Sequence, residues 1–431
     1  MTDPLTLALV LIIGLCLLGH SVGLSMIAGS FTYLLAKGYD PSITPDTILQ
    51  GLYNGYTLLA IPLFILAANI MNTGSITDRL LAFCLALVGR FRGGLGHVNV
   101  IASLVFSGMS GSAIADAAGM GKIIISMMTR EGRYSPAYAA AITAATATIG
   151  PIIPPSIPMV LYALVSDQSV GYLFLAGIAP GLLMAVLMGL TNYIIARRRD
   201  FPVEAPVPLR DMPRITFRAL PALMLPVVLL GGIYGGVMTP TEAAAVAAAY
   251  ALLISATLYR SVGLREFYGA LLASARSTAS VGILLAGALA LNYVITRENL
   301  PNALADFLLR SELSGIEFLI AANLLIFLLG MILDGGAILL IFIPILMPSV
   351  NAIGIDPIHF GVIAVVNTML GLITPPYGLL LFIVANISGA RIGRIILEVI
   401  PFIAVLIVAL AVLIAFPGLT LLLPRLFGYQ G

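Results

Sequence analysis

The sequence predicts an all-α polytopic membrane protein made of two repeated halves, with about 10–11 transmembrane helices and two re-entrant hairpins. Three observations carry that reading. First, 60% of the 431 residues are hydrophobic, only 9% are charged, and the mean hydropathy is +1.09. A soluble domain carries about 25% charge. So little charge cannot coat a water-facing surface, which excludes a soluble enzyme, a disordered chain and a nucleic-acid binder. A net charge of +2 offers no field to polyanions. Second, 43 glycines and 26 prolines mark close packing and interrupted helices in a membrane setting. Third, the chain repeats itself. Gly150-Pro-Ile-Ile-Pro-Pro155 matches Gly371-Leu-Ile-Thr-Pro-Pro376, Ser135-Pro136 matches Asp356-Pro357, Gly108-Met109 matches Gly330-Met331, and Asn69 matches Asn292, in one order at offsets of 221–223. Duplicated halves with breaks at matching places are the mark of a secondary transporter.

The elements follow in order. Spans are expected at about 5–20, 22–36, 55–73, 135–166 (broken), 170–196, 216–235, 240–259, 270–296, 357–388 (broken) and 391–420. The N-terminus lacks a basic leader and a small-residue cleavage site, so it reads as a first span. Segment 97–130, with SGMSGSA in its middle, and segment 314–349, with LDGGA in its middle, each have two arms of about 14–18 residues, short for a span. Each reads as a re-entrant hairpin whose tip must be buried or line a polar cavity. Segments 75–92 and 300–311 are amphipathic and lead into the hairpins. Residues 197–218 form an aqueous, proline-bearing linker with six arginines and three acids. The expected organisation is therefore a first repeat 1–196, a cytoplasmic linker 197–218 and a second repeat 219–431.

Charge placement orients the chain. With the linker inside, fifteen Lys and Arg residues fall inside and four outside (Lys37, Arg297, Arg310 and Arg425); Lys122 and Arg276 lie within helices. The two hairpins then open to opposite sides, as an inverted repeat requires. Cys16 and Cys84 are too few for a disulfide framework.

Residues for chemistry stand at the hairpin tips and the breaks. Asp334 lies between apolar runs, where an ionised carboxylate needs a cation or a polar pocket; a helix cap is the other reading. Its counterpart is Ser107-Gly108-Met-Ser110-Gly-Ser112, whose carbonyls and hydroxyls suit a hard cation; tight helix packing is the alternative. Asp116, one turn on, could ligate a cation or pair with Lys122. Pro154-Pro155 and Pro375-Pro376 free carbonyls near Gly150 and Gly371, and Ser156 and Thr374 add hydroxyls, although a structural kink also fits. Asn367 and Asn386 could bind substrate or bond helix to helix. Thr239-Pro-Thr-Glu242 reads as a helix cap.

At these residues the chain resembles a family. SGMSGSAIADAAGMG, TATIGPIIPPSIPMVLY, MTPTEAAAVAAAYAL, GMILD with the later PILMP, and NTMLGLITPPYGLLLFI resemble the DctM-type large membrane subunit of TRAP transporters, over nearly the whole chain. Tyr377 stands where the family has Val and Leu380 where it has Asn, so substrate identity stays open. The resemblance implies a sodium-coupled elevator transporter in the bacterial inner membrane, importing an organic acid. It implies two partners, a small four-helix membrane subunit and a periplasmic substrate-binding protein. It also implies two or more sodium ions. One site would use Ser107, Gly108, Ser110 and Ser112 with Gly150 and Pro154; the other would use Asp334 with Gly371, Thr374 and Pro375. Substrate would meet Ser110, Ser112, Ser156, Asn367, Thr374 and Tyr377. The rival classes are an ion channel and an intramembrane aspartyl enzyme built on Asp116 and Asp334.

Overall fold

Capping chemistry sets the helix starts. In the computed structural model, which describes residues 3–72, 75–310 and 314–431, Ser135 accepts a hydrogen bond from Tyr138 N at 3.1 Å, and Asp356 accepts from Ile358 N at 2.9 Å. Each is followed by proline at the first helical position, where the missing N–H costs nothing. The Ser135/Asp356 sequence match is thus a match of two helix starts. Thr239 and Glu242 form the expected reciprocal cap.

The described chain is helical, with no strand among the described residues. The first hairpin has arms Gly94–Ser110 and Met120–Thr129 joined by a short helix Ala113–Ala118; the second has arms Gly315–Gly330 and Gly335–Ile353. Each is followed by a broken helix, Pro136–Ala147 with Ile157–Ser166, and Pro357–Gly371 with Leu379–Ser388. The Pro154–Pro155 and Pro375–Pro376 peptide bonds in the two breaks are both cis.

Several expectations are revised. The span expected at 55–73 is the second limb of a pair, Ile43–Asn54 and Tyr56–Asn72, bent by 72°, because Gly55 interrupts it. The span 270–296 is longer, Leu264–Arg297, while 391–420 divides at Pro417 into Ile392–Ala415 and Gly418–Leu426. The linker is helical at both ends, since Val170–Arg198 runs into it and Met212–Tyr234 begins inside it. Arginines tolerate helix, so only the proline-rich middle is extended. Residue 311, the end of segment 300–311, lies outside the described residues. Six described helices are each long and apolar enough to cross a bilayer, or seven with the bent pair. The count falls below 10–11 because the breaks leave pieces of 10–15 residues and the first two helices, Pro4–Leu17 and Val22–Lys37, have only 14 and 16, about 15–24 Å against a ~30 Å hydrocarbon core. One of the six is the hairpin arm Gly335–Ile353, which at 19 residues is longer than expected.

The helices pack in two groups. Pro4–Leu17, Val22–Lys37, Ala60–Asn72, Pro240–Leu253 and Leu264–Arg297 pack on one another, with Met212–Tyr234 against Pro240–Leu253. The hairpins and broken helices pack with Val170–Arg198 and Ile392–Ala415. Polar side chains buried in the second group bond across helices. Asn99 of the first hairpin donates to Thr143 at 2.7 Å and accepts from Thr146 at 3.0 Å. Asn367 donates to the Asn323 carbonyl at 2.6 Å and to its side-chain oxygen at 2.9 Å. Each pair joins a hairpin arm to the broken helix that follows it.

Candidate functional site

Each hairpin tip is seated on the break that follows it by the absence of side chains. Gly111 has φ of +59°, which favours glycine, and a Cβ there would strike the Pro155 carbonyl. A Cβ at Gly371 would fall 2.5–2.6 Å from the backbone of Gly330. Gly111 and Gly371 therefore bring backbone against backbone. Most carbonyls that the prolines leave without a helical partner find another one: Gly371 accepts from Thr374 N at 3.1 Å, Leu372 from Leu380 N at 3.0 Å and Pro151 from the Ser156 hydroxyl.

Between the two helix groups lies a cavity of about 580 Å³. Both tips reach it: Ser110 to Ala115 from the first hairpin and Asp334 to Gly336 from the second. Pro151, Ile157 and Leu161 of the first broken helix and Met369 and Leu372 of the second add apolar walls. The other helix group contributes Ser21, Asn69, Ser277 and Ser280. Hydroxyls dominate its polar lining, and Asp334 is the one charged side chain among the described residues that line it.

The residues singled out from sequence divide accordingly. Ser110, Ser112 and Asp334 meet at the cavity. Asp334 was expected deep in hydrocarbon; it is exposed and caps the second arm by accepting from Gly336 N at 2.9 Å. Ser112 caps helix Ala113–Ala118. Ser107 and Gly108 are buried behind the tip, the serine donating to the Leu104 carbonyl at 2.6 Å and the glycine packed on Pro226. Ser156 donates to the Pro151 carbonyl and caps Ile157–Ser166 through Met159 N. Thr374 donates to the Leu370 carbonyl at 2.7 Å. Ser156, Asn367, Thr374 and Tyr377 do not line the cavity. Tyr377 is 52% exposed beside Phe382, ring centroids 5.6 Å apart, because the second break is open on that side whereas Pro154 and Pro155 are buried.

Asp116 carries more than the sequence suggested. It is 1% exposed, and Ser110 donates to its Oδ1. Oδ2 has no hydrogen-bond partner and faces Gly150. Lys122 is exposed, and no ion pair joins it to Asp116 among the described residues. A buried carboxylate oxygen without a partner is costly, so this one marks the seam between first tip and first break. Its signal in the sequence was its spacing, one turn beyond the serine run.

A polytopic helical fold with two hairpin tips and two proline breaks about a central cavity defines a membrane transporter. Solved structures agree at the level of fold. The YdaH transporter of Alcanivorax borkumensis superposes with a TM-score of 0.62 at 16% identity, covering 86% of this chain and 87% of that one. MtrF of Neisseria gonorrhoeae, described as an antimetabolite efflux pump, does so with 0.62 at 14% identity, covering 96% and 95%. Residues 9–419 match the model of the DctM component of the tripartite ATP-independent periplasmic transporters, and the chain belongs to that family. It is 40% identical over 419 residues to the sialic acid TRAP transporter large permease protein SiaM of Vibrio cholerae, covering 97% of this chain and 98% of the relative. It is 40% identical over 414 residues to the C4-dicarboxylate large permease DctM of Pseudomonas aeruginosa, covering 95% and 94%. It is 35% identical over 421 residues to the 2,3-diketo-L-gulonate large permease YiaN of Escherichia coli, covering 96% and 99%. The protein is accordingly a TRAP transporter large permease and not an enzyme.

Proposed function

We propose that this chain is the membrane-embedded subunit of a sodium-coupled importer of an organic acid in the bacterial inner membrane. It works with a periplasmic binding protein and a small four-helix membrane subunit. The observation that carries the reading is the single cavity at which both hairpin tips meet. The names of the relatives, for sialic acid, C4-dicarboxylate and diketogulonate, support an organic acid.

Sodium is a co-substrate here. The first site takes Ser107, Gly108, Ser110 and Ser112 with the Gly150 and Pro154 carbonyls. Asp116 supplies charge, since its unpartnered oxygen faces Gly150. The serine hydroxyls that donate elsewhere keep lone pairs for a cation. The second site takes Asp334 with Gly371, Thr374 and Pro375. Two cations beside the cavity offset the charge of an anionic substrate, which accounts for recognition without a lysine or arginine in its described lining. Ser110 and Ser112 face the substrate from one helix group, and Asn69, Ser277 and Ser280 from the other. The seam between the groups supports an elevator motion, in which the hairpin-bearing group slides past the other and carries the cavity across. The repeated order of hairpin and broken helix supports two halves of inverted topology.

Reconstitution in proteoliposomes tests the reading. Saturable, sodium-dependent uptake of an organic acid is expected only with both partners present. Full uptake by the chain alone would refute the tripartite assembly, and conductance without coupled uptake would return the channel.

A further inference from the structure

The linker is not a loose connection. Arg199 pairs with Glu398 at 2.8 Å, Asp200 pairs with Arg92, and Glu204 pairs with Arg133 at 2.8 Å. The backbone joins in, Gly93 N donating to the Pro202 carbonyl at 3.2 Å and Glu204 N to the Gly89 carbonyl at 3.3 Å. Phe201 packs against the stacked rings of Tyr134 and Tyr138, with ring centroids 4.7 and 4.9 Å away. Tyr138 is itself fixed, its hydroxyl donating at 2.8 Å to Asn192, whose amide donates to the Gly93 carbonyl at 3.3 Å.

These contacts have a common geometry. Residues 89–93 lead into the first arm of the first hairpin, and residues 130–138 lead out of its second arm into the broken helix. Five of the six linker residues 199–204, all but the exposed Val203, touch these ends or Ile392–Ala415. A hairpin is held only at its ends and its packed faces, so whatever fixes the ends sets the angle between the arms and the position of the tip. Exposed ion pairs contribute little singly, but a half-buried aromatic packed on two rings and two backbone hydrogen bonds add to them. Residues 205–211, by contrast, are mostly exposed and lead to Met212–Tyr234 of the other helix group.

We propose that residues 199–204 are a clasp that closes the open end of the first hairpin, rides with the hairpin-bearing helices, and positions the Ser110–Ser112 tip; the joint between the two helix groups is confined to 205–211. Phe201, Glu204 and Arg133 are positioning residues in this arrangement. The functional part rests on the sodium-coupled reading above.

Four measurements test it. Phe201→Ala should raise half-saturating sodium about fivefold, or ~1 kcal/mol, while Phe201→Tyr restores it. Arg133→Glu and Glu204→Arg should each weaken sodium, and their combination should recover the wild-type value. In a background lacking Cys16 and Cys84, a disulfide between Arg133→Cys and Glu204→Cys should leave uptake intact, since both positions ride together. Uptake stopped by that disulfide would overturn the clasp. So would wild-type sodium dependence in Phe201→Ala and both charge variants. Amide hydrogen exchange at residues 93–96 and 134–138, faster in Phe201→Ala than in the wild-type protein, reads the clasp without transport. Absence of sodium-dependent uptake in the wild-type complex would therefore refute the transport reading, and unchanged exchange would refute the clasp.

Discussion

Gly371→Ala probes the seating of the second hairpin directly. The added Cβ would lie 2.5 Å from the carbonyl carbon of Gly330, with Cα and O of the same residue at 2.6 Å. Ordinary contact begins at 3.4 Å, so tip and break must part by about 0.9 Å, and backbone on both sides leaves no side chain to swing away. Overpacking of this kind costs about 1–3 kcal/mol. The helical preference of alanine over glycine, at most about 1 kcal/mol in a helix interior, offsets little of it, because Gly371 is the last residue of its helix. A cost of ~1.4 kcal/mol, in the lower part of that range, is a tenfold change in an equilibrium. We therefore expect a lower unfolding temperature and roughly tenfold weaker sodium activation of uptake. Gly330→Ala, whose Cβ would lie 3.2 Å from Gly371 Cα, should be milder, and Gly269→Ala, which has open space around it, should be silent. The assay is thermal unfolding of the purified protein with uptake against sodium in proteoliposomes. Wild-type behaviour of Gly371→Ala in both, or the same loss in Gly269→Ala, would refute the argument.

Asp334→Asn keeps the hydrogen bond to Gly336 N, since Asn caps as well as Asp, but removes the charge. Stability should hold while half-saturating sodium rises over a hundredfold, about 3 kcal/mol of ion binding; unchanged sodium dependence would leave Asp334 as a cap alone. Asp116→Ala should abolish sodium-driven uptake and Ser110→Ala weaken it, as titration of uptake against sodium will show. Glu298, which caps the end of the long helix Leu264–Arg297, is held below the usual carboxylate range first by its bond to Lys37 and then by Tyr33. Its stabilisation is present above the unfolded-state value and is lost as pH falls through the depressed one, so acid unfolding below about pH 4.5 should be shallower in Glu298→Gln. Ala205→Cys, without Cys16 and Cys84, should resist an impermeant thiol reagent in intact cells; outside labelling would invert the topology drawn from the arginine count.

Low charge, apolar run lengths and the recurrence of Ser/Asp-Pro and Pro-Pro were enough, by themselves, to determine a helical membrane protein with two hairpins and two broken helices. These are properties of local sequence against a solvent: a span needs length, proline breaks a helix wherever it stands, and a serine or aspartate before proline caps one. The same local logic located the tips with Ser110, Ser112 and Asp334. What it could not decide was which side of each tip faced the cavity. Asp334 reads as a carboxylate deep in hydrocarbon, yet the tip turns it into the cavity, and Asp116, whose sequence context is equally apolar, is the one sealed against the break at Gly150. Polar beside a break, Asn367 gives its amide N–H groups to Asn323 and Ser156 its hydroxyl to the Pro151 carbonyl, while the Asn367 side-chain oxygen stays buried and unpartnered. The linker shows the largest gap: its prolines forecast an extended strand of chain, but Phe201 and Glu204 find partners about seventy residues away at Tyr134 and Arg133. Such pairings depend on where distant helices come to rest, and only the packed tertiary structure fixes that.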